Sequence, residues 1–273
     1  MWKKGQELLG RLCTIVDEKN QTPQKKILEQ TQPITARSRN NLTDYIRSKN
    51  DSWSKSDGIY PHKDYFVFHD VSIFVQEPLP SEVDLNMVLH TVENVLPQKF
   101  IETVGLEMIM IGQFPELVER EIQSMWKEGT IYVTNEQSSN EDMIDDLVHE
   151  IAHAVEDTYG FELYADDLIE QEFLLKRRHL YDILTAHGYS APSHLFMNIA
   201  YSKEFDEFLH KEIGYQKLNF LTMGLFVSAY AATSVREYFA SGFEEYFLPE
   251  GDRASLMQMS PTLYQKIEQL LEY

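Results

Sequence analysis

Asp146-Leu147-Val148-His149-Glu150-Ile151-Ala152-His153-Ala154-Val155-Glu156-Asp157 is the stretch whose reading decides the fold. It holds His-Glu-x-x-His in a helix-compatible run. Residues four apart share one helix face, so His149 and His153 can aim both imidazoles at one point. Two nitrogen ligands of a tetrahedral zinc need that geometry. Glu150 follows the first histidine, where its carboxylate can reach a water at the metal's open position without binding the metal, and can act as general base. Leu147, Val148, Ile151, Ala152 and Val155 surround these polar residues and predict a buried helix. Unpaired polar groups are costly there; a metal ion would account for them. The same pattern can arise by chance on a solvated face, and the apolar neighbours argue against that.

Working outward from the motif, Ser138, Ser139 and Asn140 followed by Glu141 and Asp142 predict the start of this helix, which runs to Asp157. Upstream, Gly129–Thr134 reads as a strand and Phe114–Trp126 as a helix. Leu106–Gly112 is a short apolar run, expected as a buried strand. Leu85–Val95 has helical period, and a second short helical piece reaches Val104. Tyr65–His69 and Val71–Val75 are aromatic and β-branched, as strands are, and Pro78 and Pro80 end them. Downstream, two long helices are expected, 165–186 and 193–213, closed by Gly188 and Gly214. His179, His187, His194 and His210 have no ligand-like spacing and read as surface or packed histidines.

The chain has 273 residues, 43% hydrophobic and 25% charged, as in globular proteins. No apolar run is long enough to cross a bilayer. The first residues, Met-Trp-Lys-Lys-Gly-Gln-Glu, do not read as a signal peptide, so the expectation is a cytoplasmic protein or one delivered by a non-classical route. The single cysteine, Cys13, rules out an intrachain disulfide framework and a cysteine-based zinc site. Net charge is -20, unevenly spread: residues 1–57 carry 11 Lys and Arg against 7 Asp and Glu, while the remainder carries a net -24. The acidic body disfavours nucleic acid and favours basic partners. Residues 1–57 read as a basic arm or a set of docking helices, with one short helix over 3–18, that could engage a protein partner. Residues 58–273 read as the main domain.

A catalytic zinc takes three protein ligands and keeps one open position. A third histidine six residues after His153 is excluded, because position 159 is tyrosine. The ligand must be a later glutamate, and Glu172 and Glu237 are the candidates. Glu237 is favoured: Ser234, Ala240 and Ser241 lie beside it at helical spacing, and small residues let two helices approach closely.

These residues together, His149-Glu150-x-x-His153-Ala154-Val155-Glu156-Asp157, then Tyr230, then Glu237-Tyr238-Phe239-Ala240 with Phe243, resemble the lethal-factor-like gluzincins. That family includes the catalytic domain of anthrax lethal factor and the Pro-Pro endopeptidases. Ser260–Ile267 also looks like the family's closing helix. The resemblance covers about 129–160 and 226–273 and is silent on 1–60. It implies an α+β, zincin-like fold: a small mixed sheet over the motif helix, with a helical lower half. It implies Zn2+ held by His149, His153 and Glu237, with Glu150 as base. Tyr230, seven residues before Glu237, would stabilise the oxyanion. In zincins the strand before the motif helix usually forms the sheet edge above the metal. Gly129, Thr130, Ile131, Tyr132 and Val133 are therefore the candidate substrate-binding residues, since an edge strand can pair with an extended peptide. Two departures stand out. The span from His153 to Glu237 is longer than the family usually has, so 161–214 reads as a helical insertion. An acidic residue often found four after the ligand glutamate is Ser241 here, with Glu244 as the candidate replacement.

The expected activity is that of a zinc metalloendopeptidase acting on an extended, basic segment of a peptide or protein. Two rivals are a structural or adaptor protein built on the same fold, as in a toxin or phage particle, and a processing protease that cuts only its assembly partners. The intact set His149, Glu150, His153 and Glu237 argues against a pure scaffold, which has no use for a general base.

Overall fold

The computed structural model describes residues 65–68 and 71–272. The basic arm 1–57 and the helix expected over 3–18 lie outside the described residues. Among the described residues, five short strands form one mixed sheet in the order β1-β2-β3-β5-β4. The strands are β1 (Tyr65–Phe68), β2 (Val71–Val75), β3 (Met108–Ile111), β4 (Ser124–Lys127) and β5 (Thr130–Val133). The two outer pairs, β1–β2 and β4–β5, are antiparallel; the inner pairs are parallel. Between β2 and β3 lie α1 (Leu85–Val95) and α2 (Gln98–Thr103), and α3 (Pro115–Arg120) leads into β4. No helix among the described residues is long and apolar enough to cross a membrane.

The motif helix is α4 (Asn140–Tyr164), longer than expected by seven residues and kinked at Tyr159, whose φ and ψ are -107° and 23°. Ser139 caps it by accepting from the Asp142 amide, 3.2 Å, and Glu141 and Asp142 sit in its first turn, where they oppose the helix dipole. Met143, Ile144, Leu147, Val148, Ile151, Ala152, Ala154 and Val155 are all buried, so α4 runs through the core under the sheet.

Below α4 the chain is helical. It comprises α5 (Leu168–Ala186), α6 (Ser193–Phe196), α7 (Lys203–Glu207), a π-helical turn (Phe208–Ile213), α8 (Tyr215–Leu221), a 3-10 turn (Tyr230–Ala232), α9 (Val235–Phe247), α10 (Arg253–Met259) and α11 (Pro261–Glu272). The single helix expected over 193–213 is thus broken. Ser202 caps a fresh start by accepting from the Phe205 amide, 3.4 Å, and Phe196, Phe205 and Phe208 fold back on one another as an aromatic cluster.

The two sides of β4 need a correction to the sequence reading. Residues 114–126 are not one helix. Glu121 adopts a left-handed conformation, φ 55°, which ends α3, and residues 124–127 then pair with β5. Glu128 and Gly129, both at positive φ, make the two-residue turn of a hairpin. At Gly129 the constraint is double, since a Cβ there would also lie 3.1 Å from the Gly105 carbonyl oxygen. With β4 added, β5 is an interior strand. Gly129, Thr130, Ile131, Tyr132 and Val133 are therefore not the sheet edge, and their backbone groups are used by β3 on one side and β4 on the other. The edge above α4 is Ser124–Lys127.

Candidate metal centre and active site

His149 and His153 are one helical turn apart on α4, with ring centroids 4.8 Å apart and planes at 83°. Glu237 comes to them from the first turn of α9. Its Oε2 lies 3.1 Å from His149 Nε2 and 3.7 Å from His153 Nε2. One ligand atom from each of these three residues falls within 4.8 Å of the others, and among the described residues this is the group that could hold a metal ion. Ser234 caps α9 by accepting from the Glu237 amide, 3.2 Å. In a Ser-x-x-Glu capping box the glutamate would fold back on the cap. Here its carboxylate turns to the histidines instead.

The second nitrogen of each ring also has a carboxylate partner. His149 Nδ1 lies 2.6 Å from Glu244 Oε1, and His153 Nδ1 lies 3.5 Å from Glu156 Oε2. Such partners fix ring orientation and tautomer in metal sites. Glu244 thus occupies the place that Ser241 left open; Ser241 instead faces the Ser228 hydroxyl, 3.3 Å away. Glu156 is itself held by Tyr164, whose hydroxyl donates to it at 2.5 Å, and by Arg236 at 2.8 Å.

The electrostatics favour a cation at the centre. Burial alone would lower the pKa of His149, but the Glu237 and Glu244 carboxylates outweigh it and raise it well above the ordinary value. Burial likewise opposes charge on His153, and Glu156 and Glu237 raise it to about 9. Burial would raise Glu237, and the two imidazoles hold it far below the usual carboxylate range.

Glu150 is 4% exposed, and its Oε1 accepts from the Ser124 hydroxyl on β4 at 2.7 Å. Tyr230 sits in the 3-10 turn before α9, its ring edge-on to Tyr215 at 6.2 Å. Burial and the nearby Glu237 charge push its phenol well above the ordinary value, so it remains a proton donor across the physiological range. His149, Glu150, His153, Tyr230 and Glu237 open on one cleft of about 620 Å³. Its upper wall is the chain from Glu121 through β4, and Asp145, Asp146 and Glu244 line it as well. None of Gly129–Val133 lines it. Trp126, also on β4, donates its indole N–H to Asp157, 2.8 Å.

Glu172 is not with the histidines. Its carboxylate accepts from the Tyr238 hydroxyl at 2.9 Å and from the Thr262 and Leu263 amides at 2.8 and 3.1 Å, so it caps α11. The segment 161–214 is part of the core. Arg177 on α5, 1% exposed, donates to the carbonyls of Ala232, Thr233, Leu195 and Asn198, and the Ile199 carbonyl accepts from the Val235 amide at 2.8 Å. These bonds fix the entry to α9 and so the position of Glu237. The sequence reading missed Arg177, Glu156 and Ser124. Of these, Glu156 alone had a local signal, a carboxylate three residues after His153.

The sequence model of the family described as anthrax toxin lethal factor, N- and C-terminal domain, matches residues 125–270, more than half of the chain. Among solved structures, the chain is similar to the Pro-Pro endopeptidase PPEP-2 from Paenibacillus alvei. The identity is 15% and the TM-score 0.35, over 72% of this chain and 96% of that one. No curated protein matches it.

Proposed function

This chain belongs to the anthrax toxin lethal factor family, and on that premise we propose that it is a zinc-dependent endopeptidase that cuts extended, basic protein segments. The observation that carries the proposal is the convergence of His149, His153 and Glu237 beside a buried carboxylate, Glu150, in an open cleft under β4, the sheet edge among the described residues. The donor set fits zinc. Ligand atoms about 2.0–2.1 Å from a tetrahedral zinc lie roughly 3.3–3.4 Å from one another. The separations of 3.1 and 3.7 Å from Glu237 to the two histidines bracket that value.

His149, His153 and Glu237 would hold the ion, with Glu244 and Glu156 orienting the rings. Zinc, when bound, supplies a Lewis acid that acidifies a water and polarises the scissile carbonyl. Glu150 accepts the proton of the attacking water and delivers it to the leaving nitrogen. Tyr230 donates its phenolic hydrogen to the oxyanion of the tetrahedral species. The backbone edge of Ser124–Lys127 pairs with the substrate, which must therefore be extended. Basic segments are favoured because the carboxylates Glu116, Glu121, Asp145, Asp146 and Glu244 line the cleft against the cations Arg120, Lys127 and Arg236, of which Lys127 is paired with Glu116 and Arg236 with Glu156 and Asp157. Burial, together with Glu244 and Glu250, raises Asp145 to about 6, as expected where like charges crowd.

The test is cleavage of a peptide library by the purified protein, with and without a chelator, beside Glu150→Gln. Cleavage that stops with chelator and returns with zinc is expected. Glu150→Gln should keep its zinc and lose about 100- to 10,000-fold in rate. Near-normal turnover in that variant would refute the mechanism.

A further inference from the structure

Ser124 has two attachments that meet at one residue. Its hydroxyl donates to Glu150 Oε1 at 2.7 Å. Its backbone lies on the outer edge of the sheet formed by the described residues. The Thr134 amide donates to the Gln123 carbonyl, which sets the alternation of the β4–β5 ladder. Hydrogen-bonded pairs therefore fall at Gln123, Met125 and Lys127, and the N–H and C=O groups of Ser124 and Trp126 point away from β5. These are also the two residues whose side chains bond to α4, Ser124 to Glu150 and Trp126 to Asp157. The strand that would receive the substrate is thus fastened to the helix that carries the base, and one fastening is the base itself.

We infer that Ser124 is a positioning residue for Glu150, holding the base from the same residue whose backbone is free to pair with substrate. The inference rests on the endopeptidase reading. A glutamate has three side-chain torsions, and a carboxylate in a cleft can rotate among several of them. With Oε1 held by Ser124, Oε2 is the oxygen left to accept a proton in the cleft. A hydrogen bond from a hydroxyl to a carboxylate is one of the stronger kinds. Substrate pairing on β4 restrains Ser124 further, so a well-seated peptide would tighten the base, while a peptide too short to span Ser124 and Trp126 would leave it looser.

The experiment uses the full-length, zinc-loaded protein and a peptide that the wild type cleaves. Ser124→Ala should lower kcat about 10- to 100-fold, the scale of one hydrogen bond to a charged group. KM should stay within about twofold, because the backbone edge that binds substrate is unchanged. Zinc content should be unchanged, and Ser124→Thr, which keeps the hydroxyl and suits a strand, should recover most of kcat. A purely structural serine would lower the melting temperature and leave kcat per folded molecule intact; that result would overturn the inference, as would a threonine variant as slow as the alanine one. A second arm needs no turnover: crystal structures of the zinc-loaded wild type and Ser124→Ala. Glu150 should occupy one rotamer in the first and be displaced or split in the second. An identical single rotamer in both would also overturn the inference. If the wild type cleaves nothing, the endopeptidase reading falls, and this second arm still decides the role of Ser124.

Discussion

Glu172→Ala should leave the metal and destabilise the fold. Its carboxylate serves the Thr262 and Leu263 amides, which follow Pro261 at the start of α11 and have no partner within the helix. Loss of such a cap costs about 0.5–2 kcal/mol. It also serves the hydroxyl of Tyr238, a residue 0% exposed, and a buried hydroxyl left unpaired costs about 1–3 kcal/mol more. The sum is about 2–5 kcal/mol, or roughly 4–20 °C in melting temperature for a domain of this size. Glu237→Ala should do the reverse: zinc is lost on dialysis, and the chelated protein melts near the chelated wild type. The assay is metal analysis after dialysis together with thermal unfolding of each variant in chelator, so that bound metal does not enter the comparison. Glu172→Gln, which keeps an acceptor oxygen, should fall between wild type and Glu172→Ala. A Glu172→Ala protein that loses zinc at unchanged melting temperature, beside a Glu237→Ala protein that keeps it, would refute the assignment of both residues.

Tyr230→Phe should lower kcat about 100- to 1,000-fold, the scale of one oxyanion donor, with unchanged zinc content; a change in melting temperature alone would make Tyr230 a core residue only. Peptides with Lys or Arg near the scissile bond should have higher kcat/KM than acidic analogues, and the advantage should shrink as ionic strength rises from about 0.05 to 0.5 M, where screening shortens from over 10 Å to a few ångströms. Equal rates for the two peptide sets at low salt would remove the charge argument and leave the zinc chemistry untouched. Removal of residues 1–57, where the sign of charge differs from that of the remainder, should leave a folded, zinc-loaded protein; aggregation or loss of zinc would place that segment in the core.

What the sequence could show was local. Two histidines four apart, flanked by apolar residues at helical spacing, identify α4 whatever packs on it. Glu237 was favoured over Glu172 because small residues mark the face of α9 that approaches another helix. The edge strand was hidden for a physical reason. Ser124-Met125-Trp126-Lys127 has no alternating pattern, because Ser124 and Trp126 face α4 through polar bonds, not apolar packing. The Glu128-Gly129 turn, moreover, is a weaker hairpin signal than Asn-Gly or Asp-Gly. Arg177 was hidden because an arginine on an amphipathic helix usually reaches water; its four carbonyl acceptors lie 18 to 56 residues further along the chain. Glu244 was named only as a replacement for an acidic residue at 241, and its pairing with His149 is a contact across 95 residues.

The charges at the centre give an independent reason for a divalent ion. Four carboxylates, Glu150, Glu156, Glu237 and Glu244, surround two imidazoles, and the first two are almost fully buried. Arg236 answers Glu156. The other three have no Lys or Arg ion-pair partner among the described residues. Buried carboxylates without compensation would shift toward protonation or destabilise the fold. Without a metal ion the compensation falls to protons on His149 and His153, which is why both are raised. A divalent ion takes over that charge while leaving both Nε2 atoms unprotonated, as ligation requires. Replacing Glu237 by glutamine would remove one of these charges and a ligand together, whereas Glu244→Gln removes the charge and keeps an acceptor for His149 Nδ1. Glu244→Gln should therefore bind zinc more weakly than wild type, by roughly 10- to 100-fold, and more tightly than Glu237→Gln. The reverse order in a competitive chelator titration would show that Glu244, and not Glu237, completes the metal site.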